Sequence, residues 1–464
     1  MYYFSTRSKN FKFTFTETVF EGLAPDGGLI IPETIPVLSS EVIKSWSKLD
    51  YVNLAWEIIK LYAPELHPDD LKKILEKSYQ VFRHKEIAPV VKVGDIYILE
   101  LFHGPTFAFK DIALQFLGNL FEYLLTNTGE KINILGATSG DTGASAIHAV
   151  KSKENIAIFI LYPHNRVSSI QALMMTTVLD PNVHNLAIEG SFDDCQRIVK
   201  ELFMDHTFKK TYKLTAVNSI NFARILAQIV YYIYTYFRVS ELEKKREVRF
   251  SVPTGNFGDI FAGFIAKRML GTGIERLILA TNENDILARF VNKGDYSVGR
   301  VIPTISPAMD IQVASNFERY LYYLLGEDSE KTAKAMQEFQ EKKRLSFSEE
   351  EVKIVQRDFL ARAVSQRETL ETIRDFYEKT GYILDPHTAV GVKAGLTFKE
   401  KNIPLICLAT AHPAKFPETV SQALGRSFTL PPEIESLTRK PQRYEVLEAD
   451  SNEVRAYIQQ RALI

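Results

Sequence analysis

From about Lys92 onward the sequence alternates short apolar runs with longer segments of helical apolar spacing. The runs lie near residues 96–102, 132–136, 156–161, 184–188, 248–252, 277–281 and 404–409. Runs of that length, apolar on most residues, suit strands that are covered on both faces. A helix between successive strands makes each connection a crossover, which is how parallel strands are joined. The alternation therefore predicts an α/β chain with open, mainly parallel sheets flanked by helices. Such sheets bind ligands at the carboxyl ends of their strands, so the loops that follow the strands are where chemistry belongs.

Four of those loops carry unusual residues. The first is Phe102-His103-Gly104-Pro105-Thr106-Phe107-Ala108-Phe109-Lys110-Asp111, between the strand at 95–102 and helical spacing over 112–125. It sets Lys110 among phenylalanines. Desolvation disfavours an ammonium and leaves a neutral amine that can attack an aldehyde, as Schiff-base lysines do. The other reading is a stem packed on aromatic rings with its head in water. His103 either orients Lys110 or is a strand-end histidine bonded to a nearby carbonyl.

The second loop, Gly136-Ala137-Thr138-Ser139-Gly140-Asp141-Thr142-Gly143, runs from an apolar strand into a helix. Free N–H groups at a helix start attract an anion, and glycines let the backbone approach it. An ordinary capped turn would look similar. The third, Pro253-Thr254-Gly255-Asn256-Phe257-Gly258-Asp259, repeats the design inside a βαβ unit and is a second candidate anion site. No Gly-Lys-Ser/Thr follows, so it is not a Walker loop. The fourth, Ala409-Thr410-Ala411-His412-Pro413-Ala414-Lys415-Phe416, offers a neutral hydroxyl in Thr410 and a cation in Lys415. Both residues also suit a solvated turn.

Composition narrows the class. A chain of 464 residues has room for two or three domains, and its formal net charge of -1 gives no footing for nucleic acid or a membrane surface. Cys195 and Cys407 are the only cysteines and stand far apart, which disfavours disulfides and zinc. No histidine pair has zinc-helix spacing, so no metal is expected. No apolar run reaches the ~18 residues of a membrane helix, and the first residues lack a signal-peptide pattern. These features lead to the expectation of a cytoplasmic enzyme. Residues 1–94 read as a separate domain, with helices near 42–62 and 69–81. The tyrosines of 224–237 read as core or interface, and the charges of 327–380 as solvated helix faces.

Together the four loops resemble those of the threonine synthase family and of the wider pyridoxal-phosphate enzymes with the tryptophan-synthase β-type fold. Further likeness lies in Phe4-Ser5-Thr6-Arg7, Gly22-Leu23-Ala24-Pro25-Asp26-Gly27-Gly28-Leu29, Asn218-Ser219-Ile220-Asn221-Phe222-Ala223-Arg224, Ser306-Pro307-Ala308-Met309-Asp310-Ile311 and Pro386-His387-Thr388-Ala389. The resemblance implies two pyridoxal-phosphate-enzyme domains, an N-terminal domain at 1–94 and a helical insertion. The large domain would hold 95–125 and 240–464, with the insertion at about 327–380, and the small domain 126–239. Lys110 would carry pyridoxal 5'-phosphate. Gly255, Asn256, Phe257, Gly258 and Asp259 would hold its phosphate, and Thr410 would bond its ring nitrogen. Thr138, Ser139, Gly140 and Thr142 would take the substrate carboxylate.

Asp141 would lie near the cofactor's phenolic oxygen, so one of the two must hold a proton. Arg166 and Lys415, with Arg224 third, are the candidate cations for a substrate phosphate. The implied reaction turns O-phospho-L-homoserine and water into L-threonine and phosphate, the last step of threonine biosynthesis. Two alternatives stay open: a phospho-lyase or dehydratase yielding a 2-oxoacid, phosphate and ammonia, and an inactive relative that only binds. Relatives of this kind include monomers and homodimers.

Overall fold

The computed structural model describes residues 1–464. Two parallel sheets frame it. The larger has six strands, in the order Phe359–Ala363, Ile274–Thr281, Val248–Pro253, Leu405–Ala409, Ile96–Glu100, Val90–Val93. All pair in parallel except the last, which is antiparallel. Every residue of Val248–Pro253 and Leu405–Ala409 is buried, as central strands covered by helices on both faces require. The smaller sheet has five parallel strands, in the order Glu445–Glu448, Val183–Glu189, Ile156–Pro163, Ile132–Ala137, Leu214–Thr215.

The strand loops of interest leave the carboxyl ends of both sheets. Lys110–Thr128 and the long helix Phe222–Glu243 pack against each other. The helices Tyr51–Tyr62 and Pro68–Tyr79 lie on them in turn. Tyr51–Tyr62 buries Leu54, Ala55, Ile58, Ile59 and Tyr62 along one stripe, and the Asp50 side chain accepts from Asn53 N at its start. In the segment Phe4–Arg7, Phe4 and Ser5 belong to a three-stranded antiparallel sheet, and Thr6 and Arg7 form the turn that follows its first strand. Its Arg7 grips Glu318 through two bonds of 2.8 Å, and Thr6 donates to the same carboxylate at 2.6 Å. That signature is therefore a docking joint.

Three segments depart from the division drawn from the sequence. The stretch 327–380 is not wholly helical: Phe359–Ala363 is the edge strand of the large sheet, paired with Ile274–Thr281. Alternating burial along it marks an edge strand, but its charged flanks hide the signal. The helix Phe222–Glu243 packs on Gly258–Leu270 and Lys110–Thr128, so it serves the large sheet although it falls within 126–239. Conversely, Glu445–Glu448 pairs with Val183–Glu189 and Ser451–Arg461 lies on Phe192–Met204, so this C-terminal portion of 240–464 completes the small sheet. Cys195 and Cys407 are both buried and unpaired with each other. Burial pushes both thiols up, Cys195 to about 12, as inert core residues behave.

Candidate active site

Lys110 is the first residue of its helix, and the turn before it is tightly tied. Phe107 takes a left-handed φ of 56°. Thr106 donates to the buried Asp111 carboxylate from its backbone N at 2.7 Å and from its hydroxyl at 2.6 Å. Phe109 N donates to Thr410 O at 2.8 Å and His412 N to Phe107 O at 3.0 Å, which fixes the first loop against the fourth. The Lys110 ammonium sits 3.6 Å from Asp141 Oδ2 and over the Phe109 ring. Burial lowers its pKa below the usual lysine value. Asp141 opposes that shift, and Lys415 and Arg224 add to it.

Asp141 opens the helix Asp141–Val150. Before it, Gly140 has φ 135°, and a Cβ there would stand 2.5 Å from Gln171 Cδ, so the position admits only glycine. The Thr138 hydroxyl accepts from Gly140 N at 3.0 Å and Gly143 N at 2.9 Å. It is committed to the loop itself. Lys415, a candidate cation for the substrate phosphate, has no exposed side-chain surface. Its ammonium lies 2.6 Å from Asp141 Oδ1 and donates to Thr106 O at 2.9 Å. Gln171 Nε2 donates to the same Asp141 oxygen at 2.8 Å. Burial raises the Asp141 pKa, but the Lys415 and Lys110 ammonium groups outweigh it and hold the carboxyl well below the usual range. Asp141 is thus a carboxylate in this chain.

The turn after Val248–Pro253 leads into the helix Gly258–Leu270 through Phe257, again left-handed at φ 64°. The Phe257 ring is buried among Phe317, Tyr320 and Phe359, which holds the strained residue in place. Asn316 donates to Asn256 O from its N at 3.0 Å and its Nδ2 at 3.1 Å. A Cβ at Gly255 would meet Ala308 O at 2.7 Å. The first N–H groups of the helix have no partner within it and face the pocket. Asp259 contributes only such a backbone group. Its carboxylate turns away and accepts from the Tyr231 and Tyr232 hydroxyls, the latter at 2.8 Å, and burial pushes it up to about 6.

One pocket gathers Lys110, Asp141, Thr142, Thr410 and the turn Pro253–Asp259. Arg224, His387 and Ser219 complete it. Arg224 is buried, its Nη1 donates to Val217 O at 3.1 Å, and its Nε has no partner. His387 Nε2 accepts from Ala308 N at 3.3 Å, leaving Nδ1 without a hydrogen bond. Five other candidates do not line the pocket: Thr138, Gly140 and Lys415 are buried behind the lining residues, and Arg166 and Ser139 are exposed. His387 and Ser219 were legible only as parts of recurring motifs. His103 bonds Glu100 Oε2 at 2.7 Å and does not line the pocket.

The residues fit a flat aldehyde that carries a phosphate. A buried amine faces an anion-binding turn, a neutral hydroxyl at Thr410 makes no bond within the chain, and the Arg224 Nε stands unpartnered, whereas His387 Nδ1 lies 3.5 Å from Asp385 Oδ1.

Known proteins agree with that fit. Three family profiles match consecutive stretches of the chain: "Threonine synthase N terminus" at 2–79, "Pyridoxal-phosphate dependent enzyme" at 80–347 and "Threonine synthase, C-terminal" at 388–458. A curated threonine synthase of Pseudomonas aeruginosa is 45% identical over 99% of this chain and 98% of its own. One of Schizosaccharomyces pombe is 48% identical over 91% of this chain and 89% of its own. The chain belongs to the threonine synthase family. Its fold is that of the pyridoxal-phosphate-bound threonine synthase from Brucella melitensis, with TM-score 0.96, 41% identity and full coverage of both chains. A yeast threonine synthase structure matches with TM-score 0.95 and 44% identity over 99% of this chain and 98% of that one.

Pyridoxal phosphate is accordingly the cofactor of this threonine synthase family member, which is a lyase of amino-acid biosynthesis. No helix is long and apolar enough to cross a membrane, and no cluster of acidic, histidine or cysteine side chains could hold a metal ion.

Proposed function

We propose that this enzyme, working in the cytoplasm, converts O-phospho-L-homoserine and water to L-threonine and phosphate. The observation that carries the reading is a single pocket with one buried reactive amine and two separate anion-binding poles. The Gly255–Asp259 turn takes the cofactor phosphate. Arg224, with its free Nε, takes the phosphate of the substrate, in place of Arg166 and Lys415. A charge-assisted bond of that kind contributes roughly 1.5–3 kcal/mol.

The bound cofactor supplies an electron sink for the substrate α-carbon. The chain supplies the rest. Lys110, released by the incoming substrate amine, is the base within reach of the α- and β-carbons, and burial lowers its pKa toward that role. Thr142 and the N–H groups opening Asp141–Val150 bind the substrate carboxylate. The Thr410 hydroxyl would offer the ring nitrogen a neutral partner, which favours the unprotonated ring. Loss of the γ-phosphate to Arg224 precedes addition of water at the β-carbon. Incubation with O-phospho-L-homoserine, assaying phosphate and threonine together, tests the reading. Equal yields support it, whereas phosphate accompanied by 2-oxobutyrate assigns the chain to the lyase alternative.

A further inference from the structure

The proposed reaction assigns no task to Lys415, although its ammonium is the nearest cation to Asp141 and has no exposed surface. A buried ammonium must find compensation, because its desolvation is costly. Lys415 has it in two contacts, Asp141 Oδ1 at 2.6 Å and Thr106 O at 2.9 Å. Thr106 is itself part of the turn that presents Lys110, through its bonds to Asp111. The second Asp141 oxygen faces Lys110 at 3.6 Å. One carboxylate thus stands between two lysines, close to one and farther from the other.

The charge count gives this arrangement a purpose. Asp141 and Lys415 neutralise each other as a pair. Lys110, when protonated, is then the surplus cation of the cluster, and its proton is the one the site can release. Without Lys415, Lys110 would be the only cation on Asp141 and would keep its proton. We propose that Lys415 is a positioning residue: it holds Asp141 as a fixed ion pair, so that Asp141 faces Lys110 as a carboxylate through every proton transfer that Lys110 makes. This rests on the reading of Lys110 as the reactive amine.

The buried Asp111 carboxyl also feels the Lys415 ammonium and is present in every variant, and the remaining charges near Lys110 act alike with or without Lys415. Arg224 from the long helix also disfavours the ammonium. Asp259 and His387 line the same pocket from the far side. On the segment that carries Lys415, His412 Nδ1 accepts from Ala414 N at 3.1 Å, and burial pushes its ring down to about 4, so it stays neutral.

The test uses the cofactor-free protein and no substrate, so it stands apart from the product assay. Lys110 is acetylated with trace acetic anhydride across a pH series, and the peptide holding it is quantified by mass spectrometry. Lys415→Met fills the same space without charge. It should move the Lys110 midpoint upward by about one to three pH units, the usual effect of strengthening one opposite charge. Asp141→Asn combined with Lys415→Met removes the pair together, which buried ion pairs tolerate better than loss of one partner. Its midpoint should fall at or below that of the unaltered protein, the opposite direction. An unchanged midpoint in a folded Lys415→Met protein would overturn the proposal. So would a double variant whose midpoint lies above the unaltered protein, and that comparison decides alone if the single variant does not fold.

Discussion

Gly255→Ala tests the cofactor pole of the pocket at one methyl group. The new Cβ would stand 2.7 Å from Ala308 O and 3.2 Å from Met309 Cα. Both neighbours are backbone, so no side chain can swing aside. A carbon rests on a carbonyl oxygen at about 3.3–3.6 Å, so the turn must move by roughly 0.6–0.9 Å. The left-handed Phe257 two residues on is locked by its aromatic neighbours, and the displacement falls on the N–H groups between them. Overpacking of this size costs about 1–3 kcal/mol. Levied on the liganded geometry, that is a loss in cofactor affinity of roughly 5- to 150-fold. Titration of cofactor-free protein with pyridoxal phosphate, followed by absorbance, measures it.

Gly271→Ala, at the far end of the same helix, is the control. Gly271 has φ 69° and nothing within 4 Å of a built Cβ, so alanine there strains the backbone by about 1 kcal/mol without touching the pocket. It should lower thermal stability and leave cofactor affinity unchanged. Wild-type cofactor affinity in Gly255→Ala, or equal losses in both variants, would refute the assignment of the turn.

Arg224→Leu should retain cofactor but raise the KM for O-phospho-L-homoserine and the inhibition constant of phosphate by about one to two decades each; Arg166→Ala, on the exposed loop, should change neither. Thr410→Asp should favour a protonated cofactor ring and divert substrate to elimination products, visible as a changed absorption spectrum and a lower yield of threonine per phosphate. Asp259 titrates near 6 when folded against 3.8 when free, so the native state binds the extra proton between those values and loses stability as pH rises through them. Melting curves of cofactor-free Asp259→Asn should lack that slope, and its gain over the parent above pH 6 should be on the order of 3 kcal/mol at most.

Periodicity and punctuation located the strands that carry the site, because covered parallel strands are written as short, mostly apolar runs. The runs near 248–252 and 404–409 lie side by side in the large sheet, with Ser251 opposite Cys407. Nothing local says so, since the pairing spans more than 150 residues of intervening chain. The glycines at 140 and 255 were legible as places where backbone could approach an anion; the structure shows each of them held against the protein itself, Gly140 by the Gln171 side chain and Gly255 by Ala308 O. Lys415 was legible as a cation of the site, but its burial against Asp141 was not. A lysine after Pro413 reads as a turn residue unless the carboxylate that buries it is known, and that carboxylate lies on the other sheet's loop. Arg224 suffered the reverse fate: helix Phe222–Glu243 reads as a tyrosine-bearing core element, and its one inward arginine looks like an outlier. The edge strand Phe359–Ala363 was hidden by the charged helices on either side.

The small sheet has its own consequence for how the chain is made. Its outer strand, Glu445–Glu448, is the last strand in the sequence, and Leu463 closes on Asn133 through bonds of 2.8 Å in both directions. A nascent chain that has emerged only as far as residue 440 therefore shows Val183–Glu189 as an open, apolar parallel edge. Strand edges of that kind invite pairing with other chains. The small unit can reach its final form only after residues 445–464 have emerged, long after the helices Tyr51–Tyr62 and Pro68–Tyr79. Shortening the protein by about twenty residues at its C-terminus should thus lower the yield of soluble protein far more than its distance from Lys110 suggests.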